Sequence, residues 1–146
     1  MAYWLLKTEP SSYSWDDLVR DGKTAWTGVA NPQAQRNLAS MRKGDRAVLY
    51  HSGEKRAVGI VEVVRTAYPD PTGDGAQVCV DVRALEPLPA PVPLEQLKLE
   101  PAFEGSVLLR QGRLSVVPLA PAEWRDLLAL ADVLARTGGI GAEPRF

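Results

Sequence analysis

Residues 46–66 read RAVLYHSGEKRAVGIVEVVRT. Two apolar, valine-rich runs flank Ser52-Gly53-Glu54-Lys55, a cluster of turn-forming residues. Arg46 to His51 is therefore expected to be one strand and Ala57 to Thr66 the next. A third valine-rich run follows from Gln77 to Leu85. Between the last two, Tyr68-Pro69-Asp70-Pro71-Thr72-Gly73-Asp74-Gly75 carries two prolines and two glycines, so it is read as a loop.

Working towards the N-terminus, Asn31-Pro32 is a helix start. Asparagine accepts from free amides, and proline at the first turn costs no hydrogen bond. The helix is expected to run through Met41, with Gly44 as its stop. Thr24 to Ala30 has no period and is read as irregular. Ser14-Trp15-Asp16-Asp17 resembles a capping box and opens a short helix through about Arg20, closed by Gly22. Tyr3 to Leu6 is a short buried strand. Working towards the C-terminus, Pro87 to Pro93 reads as a proline-rich connector. Leu94 to Leu99 is a short helix and Leu114 to Val117 a last strand before Pro118. Pro121 opens an amphipathic helix with Trp124, Leu127, Leu128 and Ala131 on one face. Short strands mixed with short helices give an α+β class, a small twisted or closed sheet flanked by helices. The expected layout is one domain over residues 1–137 and a frayed tail over 138–146.

The chain has 146 residues, enough for one domain with a real core. With 45% hydrophobic and 24% charged residues it reads as globular rather than disordered. No apolar run approaches the roughly 20 residues that span a bilayer, and the apolar start ends at Lys7 and Glu9, too early for a signal peptide. Cys79 is the only cysteine. It sits between Val78 and Val80 as a small buried filler, and one thiol with one histidine makes no zinc site. A cytoplasmic, monomeric protein with no metal, no cofactor and no membrane partner is the expectation.

The net charge is −1, so nothing attracts the whole molecule to nucleic acid. From Gln33 to Arg56, however, six basic residues stand against two acidic ones. That window marks Arg36, Arg42, Lys43 and Lys55 as candidate phosphate contacts. A solvated surface explains the same pattern.

No enzyme template is satisfied: there is no phosphate loop, dinucleotide fingerprint or nucleophile elbow. Asp16 and Asp17 lie in a helix's first turn, where carboxylates favour the dipole. Polar and aromatic residues instead crowd at chain breaks. Lys7, Thr8 and Glu9 follow the first strand. Trp26, Gly28 and Val29 precede the helix capped by Asn31, and Gln33 and Asn37 lie on its first turns. Tyr50, His51 and Ser52 close a strand, and Tyr68 and Asp70 leave the next. A pocket for a planar base needs these types, aromatic faces to stack and amide, hydroxyl or carboxylate groups to match an edge. Each also has a structural explanation: Trp26 as core, His51 as a satisfied histidine, Asn31 as a cap.

The order of the pieces adds a resemblance. Tyr3-Trp4-Leu5-Leu6-Lys7-Thr8-Glu9-Pro10, Trp26-Thr27-Gly28-Val29-Ala30-Asn31, Gln33-Ala34 with Asn37-Leu38, and Lys43-Gly44-Asp45 before Tyr50-His51-Ser52 resemble the EVE domain. Ala67-Tyr68-Pro69-Asp70, Val80-Asp81-Val82-Arg83 and Arg113-Leu114-Ser115-Val116 follow in its order, covering roughly residues 3 to 131. Pro32 stands where the family often has tyrosine and Thr27 where it often has aspartate, and the loop after Asp70 is short. The resemblance implies a PUA-like fold, a small curved β-barrel with peripheral helices, akin to YTH and ASCH domains. It implies a non-enzymatic pocket that binds a modified base, such as a modified cytosine, by base flipping, in DNA more than RNA. Trp26 would stack, Asn31, Glu9 and Ser52 would read the edge, and His51 would bond nearby. As a pocket wall, Trp26 is expected to keep one face toward solvent, so that Trp26→Ala costs less stability than Trp124→Ala. The alternative is a hydrolase or RNA-processing protein on an ASCH-like pocket, with Lys7 and Glu9 as acid–base pair.

Overall fold

The computed structural model describes residues 1–137, so the expected tail over 138–146 lies outside the described residues. Tyr3–Thr8 forms β1, longer than the apolar run alone because Lys7 and Thr8 continue its pairing. β2 is only Lys23–Ala25, the one strand the sequence leaves irregular. β3 (Arg46–His51) runs parallel to β1, with Leu5 opposite Val48 and Thr8 opposite His51. β4 (Arg56–Pro69) pairs antiparallel with β3, and β5 (Val78–Pro93) with β4. β6 (Val116–Leu119) closes the other side of β1. The order β2-β5-β4-β3-β1-β6 makes one mixed sheet with β2 and β6 at its edges. Register shifts in the β3–β4 and β4–β5 pairs bend the long strands, so the sheet curls without closing.

Two expectations about proline are corrected. Pro87 to Pro93 is not a connector but the second half of β5. Pro87, Pro89, Pro91 and Pro93 recur every second residue, so their missing N–H groups fall on one edge of the strand. β2 pairs only with Asp81 to Arg83, so that edge needs no donors further along. Likewise Pro118 lies inside β6, which is an edge strand.

α1 (Trp15–Asp21) opens on Ser14, whose hydroxyl accepts from the Asp17 amide while the Asp17 carboxylate accepts from the Ser14 amide, and closes at Gly22 with φ +79°. α2 (Pro32–Ser40) is capped by Asn31, which accepts from the Ala34 amide. α2 ends at Met41, before Gly44, because Asp45 takes the Arg42 amide and draws the chain out of the helix. Gly44, at φ +94°, serves the turn into β3. α3 (Leu94–Leu97), a 3-10 turn at Pro101–Phe103 and α4 (Val107–Arg110) fill the stretch before β6; the last two lack a long period and escape sequence reading. α5 (Pro121–Arg136) buries Trp124, Leu127, Ala131 and Leu134, while Leu128 is partly buried beside them.

Side chains alternate along a strand. Tyr3, Leu5 and Lys7 therefore share one face of β1, and Trp4, Leu6 and Thr8 the other. On the first face Tyr3 stacks on Trp124 of α5, centroids 4.6 Å apart. On the second the Thr8 hydroxyl donates to the Tyr13 carbonyl at the approach to α1. Trp15 lies flat over Gly59 of β4, where its ring leaves no room for a Cβ. That contact fixes α1 and, through it, Tyr13.

Asp45 ties the N-terminal strand to the turn before β3. One carboxylate oxygen accepts from the Ala2 amide at 3.1 Å, the other from Trp4 Nε1 at 3.1 Å and the Arg42 amide at 2.9 Å. Burial on its own would raise this carboxyl, but the Arg42, Trp4 and Ala2 donors outweigh it and hold the pKa low. A lowered carboxyl stabilises the fold above its unfolded pKa of about 3.9, and the contribution disappears as pH falls through the folded value. Asp45→Asn keeps one acceptor oxygen and should cost about 1–3 kcal/mol at neutral pH. Its chemical-denaturation stability should fall less between pH 5 and 3 than that of the wild type; parallel acid limbs would remove Asp45 from this role.

Candidate functional site

The segment after β2 has no regular structure, yet it is held at several points. The Trp26 amide donates to the Val80 carbonyl at 2.7 Å. Gly28, at φ +76°, donates its amide to Asp70 at 2.8 Å. Gln35 of α2 donates to the Val29 carbonyl at 2.6 Å and the Val78 carbonyl at 3.0 Å, and accepts from the Val78 amide at 2.8 Å. The Asp70 carboxylate also takes the Thr72 hydroxyl and amide, and these bonds, with that from Gly28, hold its pKa low. Asp70 thus positions the Trp26 segment from the β4–β5 loop. Gln35 does the same from α2 and was missed; the signal was a polar residue four positions after the Asn31 cap, beside the inward-facing Ala34.

A pocket of about 200 Å³ opens between this segment and the end of β1, lined by Thr8, Tyr13, Thr24, Ala25, Trp26 and Thr27. It falls below the roughly 300–1,000 Å³ of drug-sized sites, a scale that suits one planar ring. Trp26 is 8% exposed and Trp124 7%, so the two indoles are buried alike, and the expected open face of Trp26 toward solvent is corrected: the ring packs into the core and also lines the pocket. The Tyr13 hydroxyl donates to Asp21 at 2.8 Å; burial and that carboxylate push the phenol up, so it stays a neutral donor. Three threonines add hydroxyls to the pocket; that of Thr24 makes a long 3.5 Å bond to the Ala25 carbonyl and also bonds the Tyr13 phenol.

The fold divides the other sequence candidates among several places. Lys7, Tyr50, Ser52 and Lys55 line a second cleft of about 260 Å³ with Leu94, Leu108 and Gly112, on the opposite face of β1. Glu9 lies at its edge, accepting from the Ser52 hydroxyl at 3.4 Å. Lys7 and Glu9 have separate polar partners, Lys7 donating to the Gly112 carbonyl at 2.8 Å. His51 is buried and both its nitrogens are occupied. Nε2 accepts from the Trp15 amide at 3.0 Å, so the proton sits on Nδ1 and is donated to Glu54 at 2.9 Å. Gln33 and Asn37 bond each other, and Asn37 donates to the Val116 carbonyl at 2.7 Å, fastening α2 to β6. Tyr68 donates to Asp81, which raises its phenol pKa, and lies under the Arg65 guanidinium at 3.6 Å.

The basic window is not gathered into one face either. Arg36 donates to Gln33 on α2. Lys43 joins Lys23, Arg83 and Glu62 around a shallow groove of about 550 Å³, and Arg42 precedes it in the same turn. Lys55 stands in the second cleft. Lys23 and Arg83 lie far apart in the sequence and outside the basic window, but the β2–β5 pairing sets them opposite each other; Lys23 heads the strand that leads into Trp26.

The EVE domain family model matches residues 2–130. The chain belongs to the EVE domain family. Thymocyte nuclear protein 1 of Gallus gallus is 31% identical, over 89% of this chain and 69% of the relative. A Rhodopseudomonas palustris protein solved by NMR is 46% identical with a TM-score of 0.86, over 92% of this chain and 95% of its own. Human THYN1, crystallised with DNA containing 5-methylcytosine, is 28% identical with a TM-score of 0.81, over 99% of this chain and all of its own. This EVE domain thus has the curled sheet of its relatives, with Trp26 and Thr27 lining the smaller pocket.

Proposed function

We propose that this EVE domain is a non-enzymatic reader that takes a modified base, a modified cytosine in DNA foremost, into the Trp26 pocket. The observation that carries the reading is that pocket: one ring in size, walled by an indole and a phenol and edged with hydroxyls. The likeness to human THYN1 bound to 5-methylcytosine DNA supports it. A pocket the size of one ring receives a duplex base only if the base leaves the stack, so base flipping is part of the proposal. The threonine hydroxyls of Thr8, Thr24 and Thr27 take over the edge-reading that the sequence suggested for Asn31, Glu9 and Ser52. The Thr8 hydroxyl, whose proton goes to the Tyr13 carbonyl, can only accept from an amino edge, whereas a hydroxyl that keeps its proton suits either a carbonyl or an amino edge. Phosphates flanking the flipped nucleotide meet Lys23, Lys43 and Arg83, since Lys23 lies on the same short strand as the pocket residues Thr24 and Ala25.

The test is an array of matched oligonucleotides carrying plain or modified cytosine. Selective retention of a modified strand is expected; equal retention of all strands would end the reading. Two to four phosphate contacts give a log K against log salt slope of about −2 to −4. A slope near zero in a salt titration by fluorescence anisotropy would mean that the backbone is not engaged.

A further inference from the structure

We propose that the Lys7 cleft is a second ligand site, built to hold a phosphate group and independent of the Trp26 pocket. Lys7 is half-buried, and no ion pair neutralises it among the described residues. Its ammonium has three donors. One is spent on the Gly112 carbonyl at 2.8 Å, and the Tyr50 ring lies 5.7 Å away. The remaining donors face a cleft whose other cation is Lys55. Burial lowers the Lys7 pKa, a cost that an incoming anion would remove.

Lys55 adds a second observation. It is the one non-glycine residue with positive φ, +56°, among the described residues, and its carbonyl accepts from the Leu94 amide at 2.9 Å. Such a backbone is uncommon for lysine, where asparagine or glycine costs less. It brings an ammonium to the cleft mouth. Ser52 supplies a hydroxyl whose present bond to Glu9, at 3.4 Å, is long enough to be exchanged. Two point charges and a hydroxyl without an arginine fork suit a tetrahedral oxyanion better than a planar carboxylate. Leu94 and Leu108 give the cleft an apolar wall for the organic part of a phosphate ester. Glu9, at the rim, is an opposing charge, in contact with Ser52.

The phosphate belongs either to a small free ester or to a nucleic-acid backbone, and one titration separates them. Amide NMR shifts of the intact chain are followed with inorganic phosphate, a nucleoside 5′-monophosphate and a short unmodified oligothymidylate. Saturable shifts are expected at Ser52, Lys55 and Gly112. Lys7→Gln and Lys55→Asn, the latter suited to the positive φ, should each weaken binding about tenfold. Saturation by the two small phosphates alone assigns the site to a free ester; saturation by the oligomer with the same loss in both variants assigns it to backbone phosphate. Lack of saturation at these amides with all three probes, or equal binding by both variants and wild type, overturns the proposal. Since Lys55 is exposed, its variant reports on binding even if Lys7→Gln fails to fold.

Discussion

Trp26→Ala is expected to abolish detectable binding of a modified duplex. Stacking a base on an aromatic ring contributes about 1–3 kcal/mol. Extruding that base from a duplex costs a few kcal/mol, so losing the stack removes most of the net gain. A free modified nucleoside has no extrusion to offset and should still bind weakly to the variant. The ring is also 8% exposed, so the same substitution costs about 3–5 kcal/mol of stability. The two losses are separated with Trp26→Phe, which keeps a ring in the wall. It should melt closer to the wild type and recover part of the affinity. Anisotropy with a modified oligonucleotide, read on samples shown by circular dichroism to be folded, decides the matter. Folded Trp26→Ala with unchanged affinity would leave the pocket without a stacking platform.

Trp124→Ala should be the largest purely structural loss. The indole stacks on Tyr3 at an interplanar angle of 15° and holds α5 against the sheet. Its removal empties a site next to Leu127 and Ala131, both fully buried, and large-to-small changes of this kind cost about 3–5 kcal/mol. At about 2–4 °C per kcal/mol for a chain of this size, the melting temperature should drop by roughly 6–20 °C. Tyr3→Leu in a double-mutant cycle should show coupling of about 0.5–1.5 kcal/mol between the rings. Additive losses would mean that the stack contributes only its buried area.

The helices were legible where capping chemistry is local. Ser14 with Asp17 and Asn31 with Pro32 set their own starts, because a cap needs only a side chain and the next three amides. β3 was legible to the residue, since its apolar run ends where its turn begins. β2 was not: Lys23-Thr24-Ala25 has no strand pattern and is a strand only because β5 presents its edge. The prolines of β5 misled for the matching reason, that a lost amide counts only on a side where a partner waits.

The sequence by itself determined the α+β class, the helix starts, the valine-rich strands and, through motif order, membership of the EVE family. It also named most of the polar residues that matter. Only the tertiary structure decided which of them meet. Lys7 and Thr8 are neighbours in the chain, yet the two-residue period of β1 sends them to opposite faces and into different pockets. Tyr13 and Trp26 are thirteen residues apart, yet they share a pocket because α1 is pinned on Gly59 and the Trp26 segment on Val80. His51 became structural for the same reason: Trp15 and Glu54 reach both its nitrogens, and neither contact can be read from a strand end.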